Sequence, residues 1–182
     1  MPERTGPSAT GIKRNLSNLS LTLTVVALAV LLQATLLTRV RVLGVSPDLL
    51  LVAVVAWSLL HGATEGLIWG FIGGLGLDLV AGMPLGTSSL ALMAICFLAG
   101  LGTNSVFAGN LLLPIFLAGL ATPVHGWIIL LSAQLRGLRV DWIASTVRVI
   151  GPGILLNAAL MVLVYPALRG LATRVGAQQM EW

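Results

Sequence analysis

This sequence carries little charge. Asp, Glu, Lys and Arg make up 9% of its 182 residues, against 57% hydrophobic residues. A soluble domain carries about 25% charge, so there is too little here to coat a globule in water. A soluble enzyme, a secreted disulfide scaffold and a large extramembrane domain are excluded. Cysteine is nearly absent as well. Cys96 stands alone in an apolar run, so no internal disulfide can form, and a small buried hydrophobe is its default role. The two histidines, His61 and His125, are far apart in the chain. No cluster of His, Cys and carboxylates has metal-ligand spacing, so neither a metal nor a cofactor is expected.

Long apolar runs fill the place of the missing charge, and the mean hydropathy is +1.01. Six bilayer crossings of about 20 residues each would use about two-thirds of the chain. The expected fold is an all-α integral membrane protein, a bundle of about six transmembrane helices. It becomes five if residues 47–80 do not form a full hairpin. Ten Lys and Arg against six Asp and Glu leave a net charge of +4. These basic residues are scattered over loops and tails, which fits orientation in a bilayer and not nucleic-acid binding.

Residues 1–15 are polar, with Arg4, Lys13 and Arg14, and read as a disordered N-terminal tail. Residues 16–170 read as one polytopic membrane domain, and 171–182 as a short C-terminal tail. The first apolar run, Leu16–Thr38, is too long for a signal-peptide core and has no small-residue cleavage site after it. It is expected to be a retained helix. After Arg39, Arg41 and Gly44, the stretch Ser46-Pro47-Asp48 opens a second run that ends near His61-Gly62. Ser46 suits the N-cap, Pro47 the first helical position and Asp48 the positive first turn. This run is short for a span, and it could be tilted, re-entrant or continuous with the next.

The third helix is expected over Ala63–Val80. Gly62, Gly66, Gly70 and Gly74 recur every four residues, and Asp78 extends the row. Glycine stripes let helix backbones approach closely in a membrane, where packing replaces the missing hydrophobic drive. The turn Ala81–Gly86 contains Pro84 and Gly86. Further helices are expected over Ser88–Val106, Leu111–Leu135 and Thr146–Leu168. Pro123 should kink the fifth, and Gly151-Pro152-Gly153 should break the sixth. The basic residues divide five to five between the two sides of such a bundle. The first helix, with three basic residues before it, then places both termini in the cytoplasm.

Ionisable residues at membrane depth are functional candidates by default. Here they are Asp48, His61, Glu65, Asp78, His125 and Arg148. Asp48 and Glu65 read as carboxylates stabilised by helix N-termini, and His61 as interfacial. Asp78 opposes the dipole at a helix C-terminus and needs a donor, for which Arg148 is a candidate. Ser88 and Ser89 follow a loop and read as caps, and His125 can reach a carbonyl freed by Pro123. A serine hydrolase is therefore met by residue type only, and no enzyme is expected. Gln33, Asn157 and the Pro123 region are the only mid-span polar features. That is thin for a transporter, which needs converging polar groups.

Several blocks carry a family likeness. They are Pro47-Asp48-Leu49-Leu50-Leu51, His61-Gly62-Ala63-Thr64-Glu65-Gly66, Gly70 through Asp78-Leu79, and Gly82-Met83-Pro84-Leu85-Gly86. Arg148, Pro152, Asn157 and Tyr165-Pro166 follow in order. Over about residues 20–170 the chain resembles MreD, a small integral membrane protein of the bacterial rod-shape machinery. Where that family often has Arg-Gly-Pro, this chain has His61-Gly62-Ala63, which removes a fixed charge from the turn. The resemblance implies five or six spans, in a fold similar to the substrate-binding subunits of energy-coupling-factor vitamin transporters. It implies no enzymatic activity. It implies association with MreC and, through it, with RodA, its partner penicillin-binding transpeptidase and MreB, in the bacterial cytoplasmic membrane. Pro47, Asp48, Glu65, Asp78, Pro84, Gly86, Arg148 and Asn157 would then hold the bundle together. Gly62, Gly66, Gly70 and Gly74 would set helix packing or partner contact. A small-molecule binding or transport subunit is the other expectation.

Overall fold

The computed structural model describes residues 27–33, 35, 44–101 and 111–177. The expected N-terminal tail, most of the first apolar run with Arg39 and Arg41, and the loop at 104–110 lie outside the described residues. Every long element among the described residues is helical. A helical segment at residues 27–33 comes first. Then come α1 (Leu49–His61), α2 (Ala63–Ala81), α3 (Thr87–Leu101) and α4 (Leu112–Leu135). The short α5 (Trp142–Ser145) leads through a π-helical turn (Thr146–Ile150) into α6 (Gly151–Ala177). Among the described residues, three stretches are long and apolar enough to cross a membrane: Ala63–Ala81, Leu112–Leu135 and Trp142–Gly170.

The second apolar run does not cross. At 13 residues, α1 is about 20 Å long, against a hydrocarbon core of about 30 Å. It is also the most enclosed helix. Leu50 through Ser58 are all buried, so no face is left for lipid. Its start lies later than Ser46: Asp48 is the N-cap, and its carboxylate accepts the Leu51 N–H at 3.1 Å. Gly62 ends the helix with φ +94°, a conformation open to glycine at little cost.

Close backbone approach sets the other helices around α1. A Cβ on Gly74 would collide with the backbone of Ser89, and one on Gly66 with Ser58. One on Gly70 would come within 3.2 Å of the Leu92 carbonyl carbon. At the far end of the same pair, Gly100 abuts Ala63. These contacts make α2 and α3 antiparallel. Three members of the four-residue glycine row therefore face protein, whereas Gly62 serves the turn. Gly73 and Gly76 also pack, against Leu50 and Val30.

The sixth apolar run is not broken at Gly151-Pro152-Gly153. Pro152 has no N–H for the carbonyl four residues back. The preceding π turn widens the register instead, and the Gly151 N–H reaches the Thr146 carbonyl, five residues away. The helix then carries on to Ala177, into the stretch expected as a tail. Pro123 sits inside α4. The outer faces are apolar and open: Leu112, Phe116, Leu120 and Leu131 on α4, Leu155 and Leu163 on α6, Leu90 and Phe97 on α3. An apolar outer surface over an apolar core suits a hydrocarbon surround.

Candidate functional site

A polar cluster gathers around the N-terminus of α1. The Asp48 N–H donates to Asn157 Oδ1 at 2.8 Å. The Leu49 N–H donates to Gln33 Oε1 at 2.7 Å, and Gln33 Nε2 lies 3.4 Å from the Pro47 carbonyl. The first donors of α1, which no intrahelical carbonyl can satisfy, are thus taken by side chains from two other segments. Asp48 Oδ2 faces His125 Nδ1 at 3.3 Å. Asn157 Nδ2 donates to Thr122 Oγ1 at 3.1 Å, and that hydroxyl donates in turn to the Ala118 carbonyl at 2.8 Å. His125 therefore turns to a carboxylate and not to a carbonyl freed by Pro123.

The cluster lies halfway along the spanning helices. His125 is 13 residues from the start of α4 and 10 from its end. Asn157 is 15 residues from the start of the Trp142–Gly170 span and 13 from its end. Gly73, which packs on Leu50, is 10 residues from the start of α2 and eight from its end. The α1 N-terminus thus opens at mid-depth. Non-helical backbone is tolerated there only where protein encloses it. The carboxylate and side-chain amides supply that enclosure, and the negative charge of Asp48 meets the positive end of the helix.

Asp78 performs a second capping task. Its carboxylate accepts the Gly86 N–H at 2.8 Å and the Ser88 N–H at 3.0 Å. It sits near the C-terminus of α2 yet satisfies the open N-terminus of α3, so the unfavourable dipole of one helix is offset by the favourable one of the next. Arg148 is not its partner. That side chain is exposed on the π turn. Ser88 and Ser89 are not side-chain caps: Ser89 Oγ bonds the Phe71 carbonyl at 3.1 Å across the glycine contact. The Pro84 carbonyl accepts the Thr87 hydroxyl at 3.0 Å, and Gly86 turns with φ +99°.

Where α1 meets α2, aromatic rings stack. Trp57 lies between His61 and Trp69, with ring centroids 3.9 and 4.3 Å away. Trp57 Nε1 donates to Glu65 Oε2 at 3.0 Å, so Glu65 has a specific partner besides the helix dipole. Cys96 is fully buried, and its carbonyl accepts the Ser58 hydroxyl at 2.8 Å.

The sequence singled out Asp48, His125 and Asn157 separately, and the structure joins them. Thr122 was missed, although a hydroxyl beside a proline in an apolar span is a visible signal. Trp57 was missed too, although it stands four residues before His61, a spacing that stacks side chains on a helix. Arg148, Glu65 and Asp78 lie apart from the central cluster. The described residues hold no group of His, Cys, Asp and Glu that could bind a metal. A shallow groove near the cluster, between α1, α3 and α4, is lined by Val55, Ile95, Leu117, Ala121 and Val124, all apolar.

The arrangement defines a polytopic helical membrane protein whose half-length central helix is capped at mid-depth by a side-chain network. The chain matches the family model for the rod shape-determining protein MreD over residues 13–175, and it belongs to that family. No curated protein and no solved structure matches the chain. Family membership and the apolar helices place it in a membrane with a role in rod-shape determination. The family is a structural one and not a known enzyme family.

Proposed function

We propose that this chain is a non-catalytic assembly protein of the peptidoglycan elongation complex. It binds MreC and helps position RodA and its partner transpeptidase, with MreB on the cytoplasmic face. It lies in the bacterial inner membrane. The observation that carries this reading is the closure of the polar centre. Asp48, Gln33, Asn157 and Thr122 spend their hydrogen bonds on one another and on the backbone of α4 and of the start of α1. What the protein offers to others is its apolar outer helix surface. Recognition through such a surface is lateral packing against another transmembrane helix. The glycine row is turned inward, so it supports this surface by holding the bundle and does not form the contact.

A second reading is a vitamin-like binding or transport subunit. It is favoured by the convergence of five polar side chains at mid-depth and by His125 Nε2, which is buried without a hydrogen-bond partner among the described residues. Transporter sites are built around such half-helix N-termini.

Affinity purification from native membranes, with mass spectrometry of proteins and small molecules, separates the two readings. MreC and the elongation synthases should co-purify, and loss of the pair Asp48–His125 should reduce their recovery only as far as it reduces folded protein. A retained small molecule with an ATPase-linked partner, and no MreC, would overturn the assembly reading.

A further inference from the structure

The geometry points to a binding site for the phosphate of an anionic lipid at the end of the bundle where α4 passes into α5. Arg148 sits in the π turn and is exposed, between Val147 and Val149, which are 67% and 53% exposed. It lies six residues into the Trp142–Gly170 span, about 9 Å along the helix from Trp142. A guanidinium on the lipid-facing side at that depth is costly unless it reaches the interface and a counter-charge.

No carboxylate forms an ion pair with Arg148 among the described residues. The one ion pair there is Asp48 with His125. Asp141 accepts the Ala144 N–H at 2.9 Å and caps α5, and Asp78 is buried and bonded to Gly86 and Ser88. Two more exposed arginines, Arg136 and Arg139, occupy the same turn between α4 and α5. Trp142 donates its indole N–H to Gln134 at 2.8 Å and Trp127 donates to Thr146 at 3.3 Å. Trp142, at the start of the span, marks the headgroup level. The π turn, required by Pro152, re-aims the start of the span and with it Arg148.

The arrangement therefore places one arginine below the headgroups and two beside them. A guanidinium binds phosphate oxygens with a two-pronged fork. The occupant is a lipid phosphate and not free phosphate, because Arg148 is flanked by apolar side chains that acyl chains would cover.

The test is native mass spectrometry of the full chain purified in mild detergent with phosphatidylglycerol or cardiolipin, and again with phosphatidylcholine. Wild type should retain an anionic lipid in preference to the zwitterionic one. Arg148→Gln should lower that retention about tenfold, the loss expected when one charge-assisted contact is removed, with elution and melting unchanged. Arg148→Lys should restore part of it. Arg169→Gln, an exposed arginine at the other end of the span, should leave it intact. Equal retention by Arg148→Gln, or an equal loss in Arg169→Gln, would overturn the site. So would displacement of the bound lipid by millimolar inorganic phosphate.

Discussion

Asp48 and His125 face each other at 3.3 Å in the middle of the bundle, one at the start of a half-length helix and the other inside a full span. Removing either partner strands the other. The cost should lie between about 1 kcal/mol, as for interhelical hydrogen bonds in membranes, and about 3 kcal/mol, as for a stranded buried charge. His125→Ala and Asp48→Ala should each lower the melting midpoint in detergent. Asp48→Ala should cost more, because it also removes the cap on Leu51. The double variant should be less destabilised than the sum of the two. Additive losses would show that the pair is not coupled.

The glycine row makes a graded prediction. Gly74 touches the backbone of Ser89, which cannot move aside, whereas Gly70 has slightly more room beside Leu92 and Met93. Gly74→Ala should therefore reduce folded yield more than Gly70→Ala, and Gly70→Leu should abolish close packing of α2 on α3. Gly62→Ala meets no atom but must hold a positive φ, which costs about 1–2 kcal/mol. Fluorescence-detected size exclusion of tagged variants ranks all four. Equal yields for Gly74→Ala and wild type would refute the close contact.

How legible was this in the sequence? The helical class and the glycine packing of the third run follow from composition and a four-residue spacing. So does a carboxylate at the start of α1, because such signals are local, although the N-cap is Asp48 and not Ser46. The central cluster was not legible, because its members come from four separate segments and each has a bland local reading. Gln33 and Asn157 looked like isolated polar residues, and His125 looked like a neighbour of Pro123. Only the fold, which starts α1 at mid-depth, makes a common site of them. Charge alone makes Arg148 a candidate partner for Asp78, and backbone N–H groups of the next turn take that place.

Asp78 gives the sharpest contrast between these two kinds of reading. Its carboxylate takes two N–H groups of the turn before α3, at Gly86 and Ser88, and it is fully buried. Asp78→Ala should leave both donors unsatisfied and cost about 2 kcal/mol or more. Asp78→Asn keeps an acceptor oxygen but loses the charge facing the positive helix end, so it should recover part of that stability. Arg148→Ala should leave this turn unchanged. If Asp78 instead depended on a salt bridge, Arg148→Ala and Asp78→Asn would destabilise alike. Hydrogen exchange of the segment 82–90 in the three variants reads the difference directly. Fast exchange is expected in Asp78→Ala, intermediate exchange in Asp78→Asn and wild-type protection in Arg148→Ala.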